Sequence, residues 1–138
     1  TMTKLLLHIL AVFLLLINGL GAIYGGANLI AFPDGSSIGL SLSWLEHSPF
    51  ENYFVPGIVL LLANGLLSMI AVAAILIGAL ISALLVVLQG ILLTGWILVQ
   101  MLLIQTVYFL HVVMGTIGVL LMVIGWLHLS PERRQALK

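Results

Sequence analysis

The chain has 138 residues, 63% apolar and 6% charged, with mean hydropathy +1.35 and zero formal net charge. A soluble domain carries about 25% charged residues, so a water-exposed globule is excluded for want of polar groups to cover it. With no cysteine there is no disulfide, thiolate metal site or redox dithiol, and no basic patch speaks for nucleic acid.

The first apolar run begins at Leu5 and is read as span 1, residues 5–24. Only Lys4 stands just ahead of the run and no A-x-A site closes it, so it reads as a span rather than a signal peptide. The connection that follows, residues 25–54, holds three of the four acidic residues, Asp34, Glu46 and Glu51, and no lysine or arginine. Pro33-Asp34-Gly35 reads as a turn. GLSLSWL, residues 39–45, is apolar enough to lie on a membrane surface with Trp44 at headgroup level. Ser48, Pro49 and Glu51 have the spacing of a capping box that opens a short helix. Tyr53 and Phe54 then sit at the interface, and Pro56-Gly57 turns the chain into the next span. This connection is longer than joining neighbouring helices requires. It reads as an ordered surface loop or as a lid over a pocket, with Trp44, Glu51 and Tyr53 as the lid residues.

No charged residue occurs between Asn52 and Pro131. About 20 apolar residues cross a bilayer, so this stretch holds three spans: 55–77, 79–101 and 106–129. Gly78 marks the turn between the first two and Gln105-Thr106 the turn between the last two. Ser130-Pro131 ends the last span, and residues 130–138 form a wet tail. Backbone groups in hydrocarbon must be bonded within their own segment, which selects helices. The expected fold is therefore all-α: one integral membrane domain, 1–138, a four-helix bundle with a long outer loop between spans 1 and 2. Lys4 precedes span 1, and Arg133, Arg134 and Lys138 follow span 4. The positive-inside bias puts both termini in the cytoplasm and the acidic loop outside, as an even number of spans also requires.

Polar side chains inside the spans are expensive and find partners. Asn18 lies in span 1. Asn64, eight residues after Pro56, is about 12 Å deep at 1.5 Å per residue. Gln100 is near the loop end of span 3, and His111 is early in span 4. These four are the candidate ligand-binding residues of a pocket beneath the loop; the competing reading is interhelical hydrogen bonding, worth about 0.6 kcal/mol per bond. Gly21, Ala22 and Gly25, Gly90 and Gly95, and Gly115, Gly118 and Gly125 are small residues that let helices approach closely. LLLINGLG (14–21) echoes LLLANGLL (60–67), a pattern that suits an inverted repeat or the coincidence of two leucine-rich spans.

Chemistry has few footholds. His8 and His111 differ in depth by about 15 Å on helical rise, too far to share a haem iron. His8 and His128 lie near the same face and approach each other if spans 1 and 4 are neighbours. His47, with Glu46 and Glu51, offers at most a weak metal site. No HExxH occurs and no carboxylate lies within a span, which disfavours a proton-coupled exporter. Ser68, Ser82 and Thr94 have no base beside them. No catalytic residue, cofactor or metal is assigned, and the chain leans away from enzymes.

FPDGSSIGLSLSWLEHSPFENYFVPGIVLLLANG, with its Pro-Asp-x-Gly turn, Ser-Pro-Phe and Tyr pair and Pro-Gly start of span 2, resembles a family of small bacterial four-helix membrane proteins of unknown function. GWILVQMLLI and FLHVVMGTIG are similar to that family's spans 3 and 4. Members often carry basic residues between spans 2 and 3, where this chain has LIGAL. The resemblance implies a bacterial plasma-membrane protein and brings no activity with it. The leading expectation is a membrane protein that binds a lipid or small apolar ligand in an outward pocket, or an accessory subunit that packs against a partner. The competing expectation is a small oligomeric transporter or channel. Expected partners are membrane lipids, a second copy of the chain or a larger membrane protein.

Overall fold

The computed structural model describes residues 2–104 and 107–128. Four helices in it are long and apolar enough to cross a membrane: α1 (Met2–Ala31), α2 (Phe54–Leu76), α3 (Ser82–Ile104) and α4 (Phe109–His128). Among the described residues there is no strand. The chain is an all-α integral membrane bundle. α1 pairs with α2 and α3 with α4, and contacts of α2 with α3 and of α1 with α4 close the bundle. Leu15, Val86, Leu93 and Leu121, all nearly inaccessible, fill its centre.

Lipid tails are as apolar as leucine, so packing has to hold these helices together. Glycine supplies the close approach on both pairs. A Cβ on Gly26 of α1 would lie 2.9 Å from the Gly57 carbonyl of α2, and one on Gly90 of α3 would lie 2.7 Å from the Gly118 carbonyl of α4.

This packing explains why α1 runs seven residues beyond the expected end at Tyr24, to Ala31. Gly25 and Gly26 are seam residues of the α1–α2 pair, not the start of a loop. Asn28, one turn further, returns its side-chain N–H to the Tyr24 carbonyl at 2.8 Å, a bond that suits helix. The helix stops just ahead of Phe32-Pro33, where the residue before proline is pushed out of the α region. At 1.5 Å per residue α1 is about 45 Å long, against a hydrocarbon core of about 30 Å.

The connection is correspondingly shorter than expected, residues 32–53. It contains two 3₁₀ turns, Ser36–Ile38 and Leu42–Leu45. The expected capping box is not formed. Ser48 Oγ accepts the Phe50 N–H at 3.2 Å and donates to the Leu45 carbonyl at 2.8 Å, Glu51 stays exposed, and no helix begins until Phe54. The first helical N–H, that of Phe54, is met by Asn52 Oδ1 at 2.9 Å, while the N-cap position, Tyr53, makes no side-chain capping bond. Tertiary bonds override the local signal: the Tyr53 N–H is held by the Pro33 carbonyl at 2.8 Å.

α2 contains an unexpected π-helical segment, Leu60–Leu66, between α-helical Phe54–Val59 and Leu67–Leu76. The expected turn at Gly78 is present. Gly78 has φ 70°, its N–H reaches Ile75 O at 3.1 Å and the Ala79 N–H reaches Ala74 O at 2.9 Å. This is the Schellman pattern, which needs a left-handed residue. α3 therefore starts at Ser82 rather than 79. The expected Gln105-Thr106 turn and the tail at 130–138 lie outside the described residues.

Candidate functional site

Three of the four predicted site residues fall into two places, and the fourth, Gln100, into neither. Asn18 and Asn64 meet in the middle of the bundle, each nearly inaccessible at 2% and 1%. Asn18 Nδ2 donates to Ser68 Oγ at 2.9 Å and lies 3.4 Å from the Asn64 backbone carbonyl. Gln89 Nε2 of α3 donates to Asn64 Oδ1 at 3.1 Å. One polar hub thus ties α1, α2 and α3. Asn64 lies ten residues into α2, about 15 Å along it, and Gln89 seven into α3, about 10 Å along, so the hub is deeper than a pocket at the loop end would be.

The π segment contributes to this arrangement. Its i→i+5 pattern, seen where the Leu67 N–H reaches Leu62 O, interrupts the regular ladder. Such interruptions accompany a side chain or water inserted at the backbone, and here the Asn18 amide approaches the Asn64 carbonyl. The hub is not fully paired: Asn64 Nδ2 and Gln89 Oε1 are buried without a hydrogen-bond partner.

Sequence reasoning passes over Gln89. Its signal is the stripe Val86, Gln89, Leu93, Ile97, buried at helical spacing, which puts the glutamine on the same face as core residues. Gln100 continues that stripe but is only half-buried near the helix end. It joins neither the hub nor the groove described next.

His111 belongs to the second place, a surface groove of about 460 Å³ between α3 and α4. Ile97, Leu98 and Met101 form one wall and Val112, Val119 and Leu120 the other, with Thr94 and His111 also in the lining. Gly115 widens it; the nearest atom to a Cβ there would be Ile97 Cγ2 at 3.8 Å. His111 is 6% exposed, and its Nδ1 accepts the Tyr108 N–H at 3.1 Å. That bond fixes the tautomer of the neutral ring: the proton sits on Nε2. His111 is thus a polar residue in the lining of an otherwise largely apolar groove.

The connection reaches the His111 end of the groove. The rings of Trp44 and Tyr108 are 5.7 Å apart, and those of Tyr108 and His111 also 5.7 Å. Tyr53 anchors the connection from beneath: it is buried with Leu29 and Leu45, and its hydroxyl donates to the Ser41 carbonyl at 2.6 Å. Burial pushes its phenol above the ordinary tyrosine value, which keeps it a donor. Asp34 is held below the ordinary carboxylate value by the Ser36 N–H and hydroxyl, both bonded to its Oδ1. Of the three residues expected to form a lid, Trp44 makes the ring contact with Tyr108, Tyr53 ties the connection to itself through Ser41, and Glu51 is exposed.

At the other end of the bundle His8 and His128 stack with ring centroids 4.3 Å apart and planes 9° from parallel, the approach expected of neighbouring spans 1 and 4. His47 lies 3.7 Å from Glu46, an exposed pair of the kind worth little. Among the described residues no three His, Cys, Asp or Glu side chains gather as metal ligands. No family model, curated protein or solved structure matches this chain.

Proposed function

We propose that this protein binds a lipid or similarly apolar molecule, with its chain along the α3–α4 groove and its polar end at His111 beneath the connection. The observation that carries this reading is the bond from the Tyr108 N–H to Nδ1 of His111, a residue that lines the groove. With Nδ1 occupied by the Tyr108 N–H, Nε2–H is free to donate to a ligand acceptor such as an ester or ketone oxygen. An apolar cleft of about 300–1,000 Å³ with a few orienting polar groups is the usual form of a small-molecule site. From Val112 to Leu120 the groove wall extends about 12 Å along α4, a length that suits an extended hydrocarbon chain.

In this reading the acidic connection faces outward from a bacterial plasma membrane and both termini are cytoplasmic. Lys4 at the start of α1 and the acids of the connection support that orientation. Asn18 and Asn64 serve cohesion of the bundle instead of the ligand.

The test is mass spectrometry of the protein purified in mild detergent. A co-purified lipid is expected, retained about tenfold less by His111→Leu, the size of effect that losing one hydrogen bond of about 1.4 kcal/mol would produce. Gly115→Leu, which fills the groove, is expected to abolish retention. Equal lipid occupancy in both variants and the parent would rule the reading out.

A second reading, a small transporter, draws on the π segment beside a mid-bundle polar hub, since transporters interrupt helices where they line a midplane site. Solute flux into proteoliposomes, lost in Asn64→Leu, would favour it.

A further inference from the structure

We infer that the mid-bundle hub is a hydration site, holding a water molecule between Asn64 of α2 and Gln89 of α3. The inference is independent of the groove and of the ligand proposed for it. Two side-chain atoms, Asn64 Nδ2 and Gln89 Oε1, are buried without a partner on residues 1% and 0% exposed. Buried polar groups are almost always bonded to protein or to ordered water, and in hydrocarbon no bulk solvent can serve them.

The chemistry of the pair selects the occupant. One orphan is a donor and the other an acceptor, on two amides already joined by the 3.1 Å bond from Gln89 Nε2 to Asn64 Oδ1. A cation would meet the Asn64 N–H, an anion would meet the Gln89 carbonyl, and an alkyl group would satisfy neither. A water molecule accepts from the first and donates to the second. The two amides complement a water in either orientation. Rotating both amides makes Asn64 the donor and Gln89 the acceptor of the joining bond, and again leaves one donor and one acceptor. Buried waters typically make about three bonds, and the Ser68 hydroxyl, which accepts from Asn18, brings a further O–H to the same hub. The π segment is the backbone feature expected beside such a site, because its turn is wider than an α turn and its ladder is already interrupted.

The experiment is water-to-protein polarisation transfer by solid-state NMR on the full chain in lipid bilayers, with ¹⁵N-labelled asparagine and glutamine. Asn18 is the internal control: it is as buried as Asn64, but its Nδ2 is bonded to Ser68. The Asn64 side-chain amide is expected to receive water magnetisation several times faster than that of Asn18. Gln89→Met, which removes one of the two water ligands, is expected to bring the Asn64 rate down to the Asn18 rate. Equal rates in the parent protein would overturn the inference, as would a fast Asn64 rate that persists in Gln89→Met. Should that variant fail to fold, the comparison of Asn64 with Asn18 in the parent decides alone.

Discussion

At the scale of single residues, the polar side chains in the spans are the most informative positions. Asn18 and Asn64 stand out in the sequence because an amide in a leucine-rich span has few ways to be satisfied, and they do meet. Gln89 is just as anomalous chemically. It is passed over because its relevance depends on the rotation of α3, and four uniformly apolar helices give little amphipathic signal to set that rotation. Tyr53 shows the same limit outside the spans: its place at an interface is legible, but its bond to the Ser41 carbonyl, twelve residues away, is not. Tyr53→Phe removes that bond and is expected to cost about 0.5–1.5 kcal/mol. The loss should appear as faster hydrogen exchange in the connection with little change in the melting of the helices. The parent should show the same loosening at alkaline pH. A phenol raised by burial contributes fully below the ordinary tyrosine value of 10.0 and loses its contribution as pH climbs through the raised value; Tyr53→Phe should be insensitive over that range.

At the scale of elements, length and helicity follow from composition, whereas the ends depend on packing. Gly25 and Gly26 have the composition of a turn and the role of a seam. Ser48 and Glu51 have the spacing of a cap, yet long-range bonds at Tyr53 hold that segment in turns. The glycines of α3 make the point testable within one helix. A Cβ on Gly90 would press on the Gly118 carbonyl and on Met122, whereas one on Gly95 would meet nothing within 4 Å. Gly90→Ala is therefore expected to destabilise the bundle by about 1–3 kcal/mol, as overpacking does. Gly95→Ala should be neutral or stabilising by up to about 1 kcal/mol from helix propensity. Unfolding in graded detergent mixtures reads both, and similar effects at the two positions would argue against the α3–α4 seam.

At the scale of the whole molecule, three of the four apolar helices are legible from charge and length together, because no ionised side chain interrupts residues 52–131. The division of the polar residues between a hub and a groove is not, since it depends on which helices are neighbours. The proposed orientation can be read directly in a chain that has no native cysteine. Glu51→Cys should react with an impermeant maleimide added to intact cells, and His8→Cys should not. Labelling of the first only after the cells are opened would reverse the orientation.

The length of α1 sets this helix apart from its neighbours. It has 30 residues against 23, 23 and 20 in the others, so in a thin bilayer it must tilt, or stretch the lipids around one side of the bundle, at a fraction of a kcal/mol for each Å of mismatch. The protein should accordingly melt at higher temperature as the vesicle lipids are lengthened. Membrane thickness would then act as a mechanical variable, to which the protein responds through a single helix.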